Sequence, residues 1–235
     1  MTKSSPLWGN YSDLRPSQIE AIREACPVAY VPWGALEWHS YHAPVGLDSV
    51  KAEGLCREIA KAVGGLVFPA IPLAVNTIKP YKGFPHCLDM PMPVMEEVAK
   101  AVCEQLVDEG FRVIIFFTGH YPPEQLEVLE AGVAAANCDK SGRIIEVWAD
   151  NQYLEGHYTA DHAGATETAF QLYFDGGNVD LGALPDRPVS LDEDGITGED
   201  PRVATAERGA QQVALVVSRA SERLRAHLDC IYSES

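Results

Sequence analysis

Glu37, His39, His42 and Asp48 fall within one short stretch, WGALEWHSYHAPVGLDS. Glu37 and His39 are two apart, so in extended backbone both side chains leave the same side of the chain. Imidazole and carboxylate donors together suit Zn²⁺ or Mn²⁺ rather than the all-oxygen cages of Mg²⁺ or Ca²⁺. Two further segments carry the same residue types: His120 in FFTGHYPPEQ, and Asp161, His162 and Glu167 in ADHAGATETA. One such histidine alone reads as a half-buried, hydrogen-bonded imidazole. Three His/carboxylate segments, each at a predicted strand end, are harder to assign to packing. No EF-hand loop, Walker A sequence or G-x-S-x-G elbow competes with a metal centre.

These segments need a scaffold, and the hydrophobic pattern supplies one. Residues 16–25 predict a helix with Pro16 near its start. PVAYVPWGAL reads as a buried strand. Asp48 to Val63 predicts an amphipathic helix capped by Asp48 or Ser49. LVFPAIPLAV is a second strand-like run, and 76–93 a long loop of the kind that is functional or mobile. Residues 94–109 are helical, with Gly110 as the stop. FRVIIFFTG is the clearest strand; 122–137 reads as a helix, RIIEVWAD as a strand, and Ala163 to Phe174 as a helix. The acidic, turn-rich stretch DGGNVDLGALPDRPVSLDEDGITGED reads as an excursion, and a last helix covers about 205–228. Alternating strands and helices predict an α/β fold, a three-layer α/β/α domain with a mostly parallel sheet, spanning 1–235 as one domain. In such folds sites sit where strand C-termini meet the following loops.

The chain has 235 residues, 46% of them hydrophobic, which is enough for one substantial core. Lys+Arg is 18 against Asp+Glu 34, a net charge of −16. A surface so acidic repels phosphate backbones and anionic lipid, so neither nucleic acid nor a membrane surface is an expected partner. No run of 18 apolar residues predicts a membrane span. The N-terminus, MTKSSPLWGNYSDL, has no apolar signal region. Six scattered cysteines without a CxxC predict free thiols in a reducing, cytoplasmic compartment.

The order of the motifs resembles the creatininase (creatinine amidohydrolase) family. Its Pro-x-Gly-x-x-Glu-x-His-Gly-x-His-x-Pro-x-x-x-Asp pattern is matched by PWGALEWHSYHAPVGLD, with Ser40 where Gly is usual. Its Gly-Phe-Pro-Gly-Thr loop is matched by GFPHCLDM with the last two positions changed, and its Asn-Gly-His-Gly-Gly-Asn loop by Thr118-Gly119-His120-Tyr121-Pro122-Pro123. HAGATETA and GITGEDPRVATAERG match the family's His-Ala-Gly-x-x-Glu-Thr-Ser segment and its ending.

The resemblance implies an α/β/α domain with two Zn²⁺ or Mn²⁺ ions per subunit. Glu37, Asp48 and His120 would hold one ion; His39, Asp48 and a further Glu the other, with Asp48 bridging. Creatininase takes that Glu two residues after the His of its Asn-Gly-His loop, a position that is Pro122 here. Glu167 is the first choice in its place and Glu124 the reserve. A water between the ions would become the nucleophile, one ion would polarise a carbonyl, and His162 would protonate the leaving group, so His162 and Glu167 are the expected catalytic residues. His162 could instead orient a ligand carboxylate. His42 is expected beside the site rather than in it. A homo-oligomer, a hexamer by resemblance, is also implied.

The substrate departs from the family type. Creatinine-hydrolysing members carry Trp-Asp where this chain has Tyr158 and Thr159. Trp33, Trp38, Tyr41, His86 and Tyr121 are the aromatic alternatives for a pocket lining. Lys79, Lys82 and Arg112 are the few cations near predicted site loops, which disfavours a phosphorylated substrate. A small neutral cyclic amide or related carbonyl compound fits better. The competing readings are a non-catalytic Rossmann-like small-molecule binder, which lacks a G-x-G-x-x-G turn here, and a degenerate family member. The latter gains if Glu167 points away from Asp48.

Overall fold

The computed structural model describes residues 6–233. Five strands, β1 (Trp8–Asn10), β2 (Val28–Trp33), β3 (Gly65–Val67), β4 (Val113–Thr118) and β5 (Ile144–Ala149), form one parallel sheet in the order β1-β3-β2-β4-β5. The helices are α1 (Pro16–Ala25), α2 (Leu47–Val63), α3 (Ile78–Lys82), α4 (Met92–Asp108), α5 (Pro123–Ala135), α6 (Asp150–Leu154), α7 (Ala165–Asp175), α8 (Leu191–Asp194) and α9 (Ala206–Ser233). The sheet winds outward from β2, towards β3 on one side and β4 on the other. The crevice above a strand from which the chain departs in both directions is where open α/β sheets bind ligands.

Strand periodicity sorts the core into two layers. Val28, Tyr30, Val113, Ile115 and Phe117 pack with α2, α7 and α9. Ala29, Val31, Trp33, Ile114 and Phe116 pack with α1, α4 and α5. Both faces of β2 and β4 are covered, so every residue of these strands is buried. That is why they read as unbroken apolar runs and not as alternating ones. The α/β/α fold expected from the pattern is therefore the observed one.

Local differences have physical causes. Of the run LVFPAIPLAV only Leu66 and Val67 lie in β3; Pro69 and Pro72 cannot donate to a ladder, and the remainder touches its neighbours as isolated bridges at Ile71 and Ala74. The 76–93 segment is not purely loop, since it contains α3 and α4 begins at Met92. Neither Asp48 nor Ser49 caps α2: Gly46 holds that position without a side-chain bond, and Asp48 stands in the first turn. The short β1 and α6, three and five residues long, carry too little periodicity to announce themselves. Among the described residues no helix is long and apolar enough to cross a membrane.

Candidate metal centre

The C-terminal ends of β2, β4 and β5 converge on the first turns of α2 and α7. Glycine makes the closest approaches possible. A Cβ at Gly34 would strike Ser49, and one at Gly119 would strike the carbonyl oxygen of Asp48. The ends of β2 and β4 thus close directly on the start of α2, with Asp48 between them. Asp48 and Glu167 both sit in first turns, where the helix dipole favours a carboxylate.

The donors form two overlapping groups. Glu37, Asp48 and His120 make one, and His39, Asp48 and Glu167 the other, each with its ligand atoms within 4.8 Å of one another. Asp48 divides its oxygens: Oδ2 lies 3.5 Å from His120 Nδ1 and Oδ1 lies 3.5 Å from His39 Nε2. Glu37 Oε2 is 2.9 Å from His120 Nδ1, and Glu167 Oε2 is 3.5 Å from His39 Nε2. All five side chains are buried, yet Glu37 Oε2, His39 Nε2 and Asp48 Oδ2 have no well-formed hydrogen bond. Buried polar atoms are rarely left so. Orphaned atoms of both donor types, turned to common points, fit divalent cations of the Zn²⁺ or Mn²⁺ class.

Each imidazole is fixed in a tautomer by a carbonyl, which can only accept. His39 Nδ1–H donates to Glu37 O at 3.0 Å, His120 Nε2–H to Val75 O at 3.0 Å, and His162 Nε2–H to Trp38 O at 2.8 Å. The remaining nitrogens of His39 and His120 turn their lone pairs to the donor groups, the arrangement that metal-binding histidines use. His162 Nδ1 lies 3.9 Å from Glu37 Oε2 and 4.0 Å from Glu167 Oε2, so His162 forms a third possible group with Glu37 and His39.

Burial alone would push His120 down, but with no ion between them Glu37 and Asp48 raise it to about 10, and Asp48 and Glu167 likewise hold His39 above its ordinary value, so the facing nitrogens keep protons that a bound cation would displace. Glu167 goes the other way: burial works against ionisation, but Lys51 and His39 hold it down to about 2. Burial, helped by the neighbouring His39, lowers His162, which favours the neutral ring.

A cavity of about 420 Å³ opens onto these atoms, lined among others by Glu37, Ile78, His120, Tyr121, His162 and Glu167. The family model described as creatinine amidohydrolase matches residues 12–224. The chain belongs to the creatininase family. Members of this family are metal-dependent amidohydrolases. A curated creatinine amidohydrolase of Pseudomonas putida is 23% identical over 180 residues, 68% of this chain and 69% of that protein. A creatininase variant solved in a Zn-Zn form superimposes with a TM-score of 0.79 at 19% identity, over 95% of this chain and 98% of that one. A creatininase solved with Mn gives 0.78 at 19% identity over the same shares.

Where this chain departs from the creatininase pattern, the structure gives reasons. Ser40 and His86, at two positions where the family resemblance implies glycine, both take left-handed backbone, φ 59° in each. Tyr158 and Thr159 do not line the cavity: the Tyr158 hydroxyl donates to Gln211 Oε1, and the Thr159 carbonyl accepts from Thr166 Oγ1. Of the aromatic alternatives Tyr121 faces the cavity, whereas Trp33 is buried in the core and Trp38 stacks on Phe84 with Tyr41 and His86 around it. Lys79, Lys82 and Arg112 are not part of the lining; Lys82 pairs with Asp192 and Arg112 reaches the carbonyl of Ile231.

Glu124 stands outside both donor groups, its Oε2 accepting from Asn76 Nδ2, whereas Glu167 turns inward. His42 also stands apart, its Nε2 2.8 Å from Thr168 Oγ1.

Sequence reasoning missed Lys51 and Asp150. Both are buried at the floor of the site, with Lys51 Nζ 2.6 Å from Glu167 Oε1, 3.4 Å from Asp150 Oδ2 and 3.8 Å from Asp48 Oδ1. Burial opposes the charge on Lys51, but Asp150, Glu167 and Asp48 raise it well above its ordinary value. The signal was available: Leu47, Lys51, Leu55 and Ile59 share the four-residue spacing of one helix face, and an ammonium on that apolar stripe demands a buried partner.

Proposed function

We propose that this creatininase-family hydrolase holds two Zn²⁺ or Mn²⁺ ions, one at Glu37, Asp48 and His120, the other at His39, Asp48 and Glu167. Its proposed reaction is hydrolysis of a cyclic amide or related carbonyl compound, small and neutral and not creatinine itself. The observation that carries this reading is Asp48, buried between two histidine lone pairs with an oxygen turned to each. Ions in such a site supply a Lewis acid for the carbonyl and lower the pKa of a water near it.

The chain's own residues do the rest. Carbonyls of Glu37 and Val75 lock the ligand tautomers of His39 and His120. Ala163 N–H donates to Glu167 Oε2 at 2.8 Å and holds that carboxylate on the cavity side. His162, neutral at neutral pH with its Nδ1 lone pair facing the donors, takes a proton at Nδ1 from the attacking water and returns it from Nδ1 to the leaving nitrogen. A lining without Lys or Arg favours a neutral substrate, and the placement of Tyr158 and Thr159 away from the cavity argues against creatinine. Glu167 faces Asp48 and His39, so the condition that would favour a degenerate member is absent. The reading includes a homo-oligomer in the cytoplasm; sedimentation velocity tests the assembly and fractionation the location.

Elemental analysis of the purified full chain should give two transition-metal ions per subunit, and a panel of cyclic amides should contain one turned over faster than creatinine. A protein that retains no such ion after purification and reloading overturns the metal reading. Creatinine as the preferred member of the panel overturns the substrate reading.

A further inference from the structure

Lys51 is a cation on the floor of the site that a pair of divalent ions does not ask for. Its ammonium is fully buried and touches two of the three donors of the His39 group, Glu167 at 2.6 Å and Asp48 at 3.8 Å. On the other half of the site, Glu37 forms ion pairs only with His120 and His162 among the described residues. The asymmetry is therefore structural: Asp48 belongs to both half-sites, but its Oδ1, the oxygen near Lys51, faces His39; Glu37, the carboxylate private to one half-site, pairs with no lysine or arginine among the described residues, whereas Glu167, the carboxylate private to the other, is held at 2.6 Å by a fixed cation.

We propose that Lys51 is a resident cation that makes the two half-sites unequal. The Glu37, Asp48 and His120 group takes its divalent ion first and tightly; the His39, Asp48 and Glu167 group takes its ion second and weakly. This rests on the two-ion reading above and adds to it an order of filling and a positioning residue. The charge balance points the same way. Glu37, Asp48, Glu167 and Asp150 face one ammonium; a first divalent ion brings the sum of these charges from −3 to −1, so a second enters a much weaker attractive field, with the first ion and the ammonium a few ångströms away in a low-dielectric floor.

Lys51 is not needed to aim Glu167. Ala163 N–H holds Oε2 at 2.8 Å, and the Tyr121 hydroxyl approaches Oε1 at 3.4 Å. Removing the ammonium thus removes repulsion while leaving the ligand oxygen in place. Asp150 works in the opposite sense, since its Oδ2 lies 3.4 Å from Nζ and offsets part of that repulsion.

The test is calorimetric titration of metal-free full-length protein with Zn²⁺ alone and with Mn²⁺ alone, at pH 8 without substrate. Wild type should bind in two steps separated by at least about 100-fold in affinity, the sense a nearby like charge imposes. Lys51→Met, which keeps the side-chain length, should tighten the second step and bring the two within about tenfold. Asp150→Asn should widen the gap. A single step of one ion per subunit in wild type that becomes two steps, two ions in all, in Lys51→Met also supports the proposal.

A role confined to packing would move both variants the same way, so the opposite signs are the diagnostic. Two indistinguishable steps in wild type, or a Lys51→Met protein whose second step is unchanged, weaker or absent, overturns the proposal and leaves the metal centre standing. Should Lys51→Met fail to fold, an Asp150→Asn gap that narrows or stays equal overturns it. Wild type that binds no divalent ion sinks the two-ion reading itself.

Discussion

Ahead of β3, β4 and β5 the chain turns on glycine: Gly64, Gly65, Gly110 and Gly142 take positive φ at the N-terminal ends of the strands. Around the cavity at the C-terminal ends, positive φ falls also on Ser40, Asn76, His86 and Ala163. The orphaned polar atoms of Glu37, His39, Ser40, His42 and Asp48 lie at that same end. One end of the sheet uses the residue that makes a left-handed turn at little cost; the other tolerates backbone strain and unpaired buried atoms. Strain and unsatisfied polar groups persist where the surrounding structure over-determines them, and they gather at functional sites. The contrast separates what this sequence spends on folding from what it spends on chemistry.

The sharpest way to break the contrast is Asp48→Ala. If the C-terminal end exists to bind ions, this change removes the atom pair shared by both half-sites. Metal content should fall from two ions to fewer than one per subunit, and hydrolysis of any substrate found should drop by at least ~10³-fold, the scale on which metal-dependent water activation operates. The fold should survive, because Glu37, Glu167 and Asp150 remain to face His120, His39 and Lys51. Elemental analysis and circular dichroism check the two halves of that statement; full metal content in the variant refutes the site.

The matching change at the other end is Gly64→Ala. Gly64 has φ 110° and ψ 179°, a region essentially reserved for glycine. An added Cβ would lie 3.0 Å from Leu7 O and 3.1 Å from Cys26 Cβ. The expected cost is about 3 kcal/mol of stability by urea denaturation, with metal content unchanged. Loss of metal at constant stability would show that the two ends are not separable.

These two ends also differed in how far they could be read in advance. The buried strands and their helices were legible because a run such as VIIFFT admits few other interpretations. Glu37, His39, Asp48, His120 and Glu167 were found as donor types near strand ends, and their assignment to ions came through the family resemblance. The residues' own pattern does not give that pairing, which depends on Gly34 and Gly119 admitting α2 between two strands; only the family resemblance implied it. Lys51 was hidden for another reason: an amphipathic pattern records polarity along the chain, whereas its partners Asp150 and Glu167 arrive from the first residue of α6 and from α7, about 100 residues away.

A smaller effect concerns acid. Burial lowers His42 to about 4, with the nearby His39 acting in the same direction. The unfolded chain protonates this ring near its ordinary value of about 6.5. The unfolded state therefore binds the extra proton first, and stability present above pH ~6.5 drains away as pH falls towards 4. In metal-free protein, the loss between pH 7.5 and 4.5 should be about 2 kcal/mol greater for wild type than for His42→Gln. Equal losses, measured by thermal or urea unfolding at both pH values, would mean His42 is not held neutral by the fold.

The mildest test should move stability upward. Ser40 carries φ 59°, a conformation that favours glycine, and its buried Oγ has no partner. A non-glycine residue in this region costs roughly 1–2 kcal/mol, and a buried hydroxyl without a bond adds to that. Glycine would relieve both, at an entropic cost of roughly 0.5–1 kcal/mol in the unfolded chain. The net expectation for Ser40→Gly is a gain of about 1 kcal/mol by urea denaturation. Metal content should not change, because Ser40 contributes no donor to either group. If the strain merely records tolerated drift, turnover should stay within about twofold of wild type. If turnover falls while stability rises, the Ser40 hydroxyl serves the substrate, and the strained backbone beside His39 is kept for its chemistry.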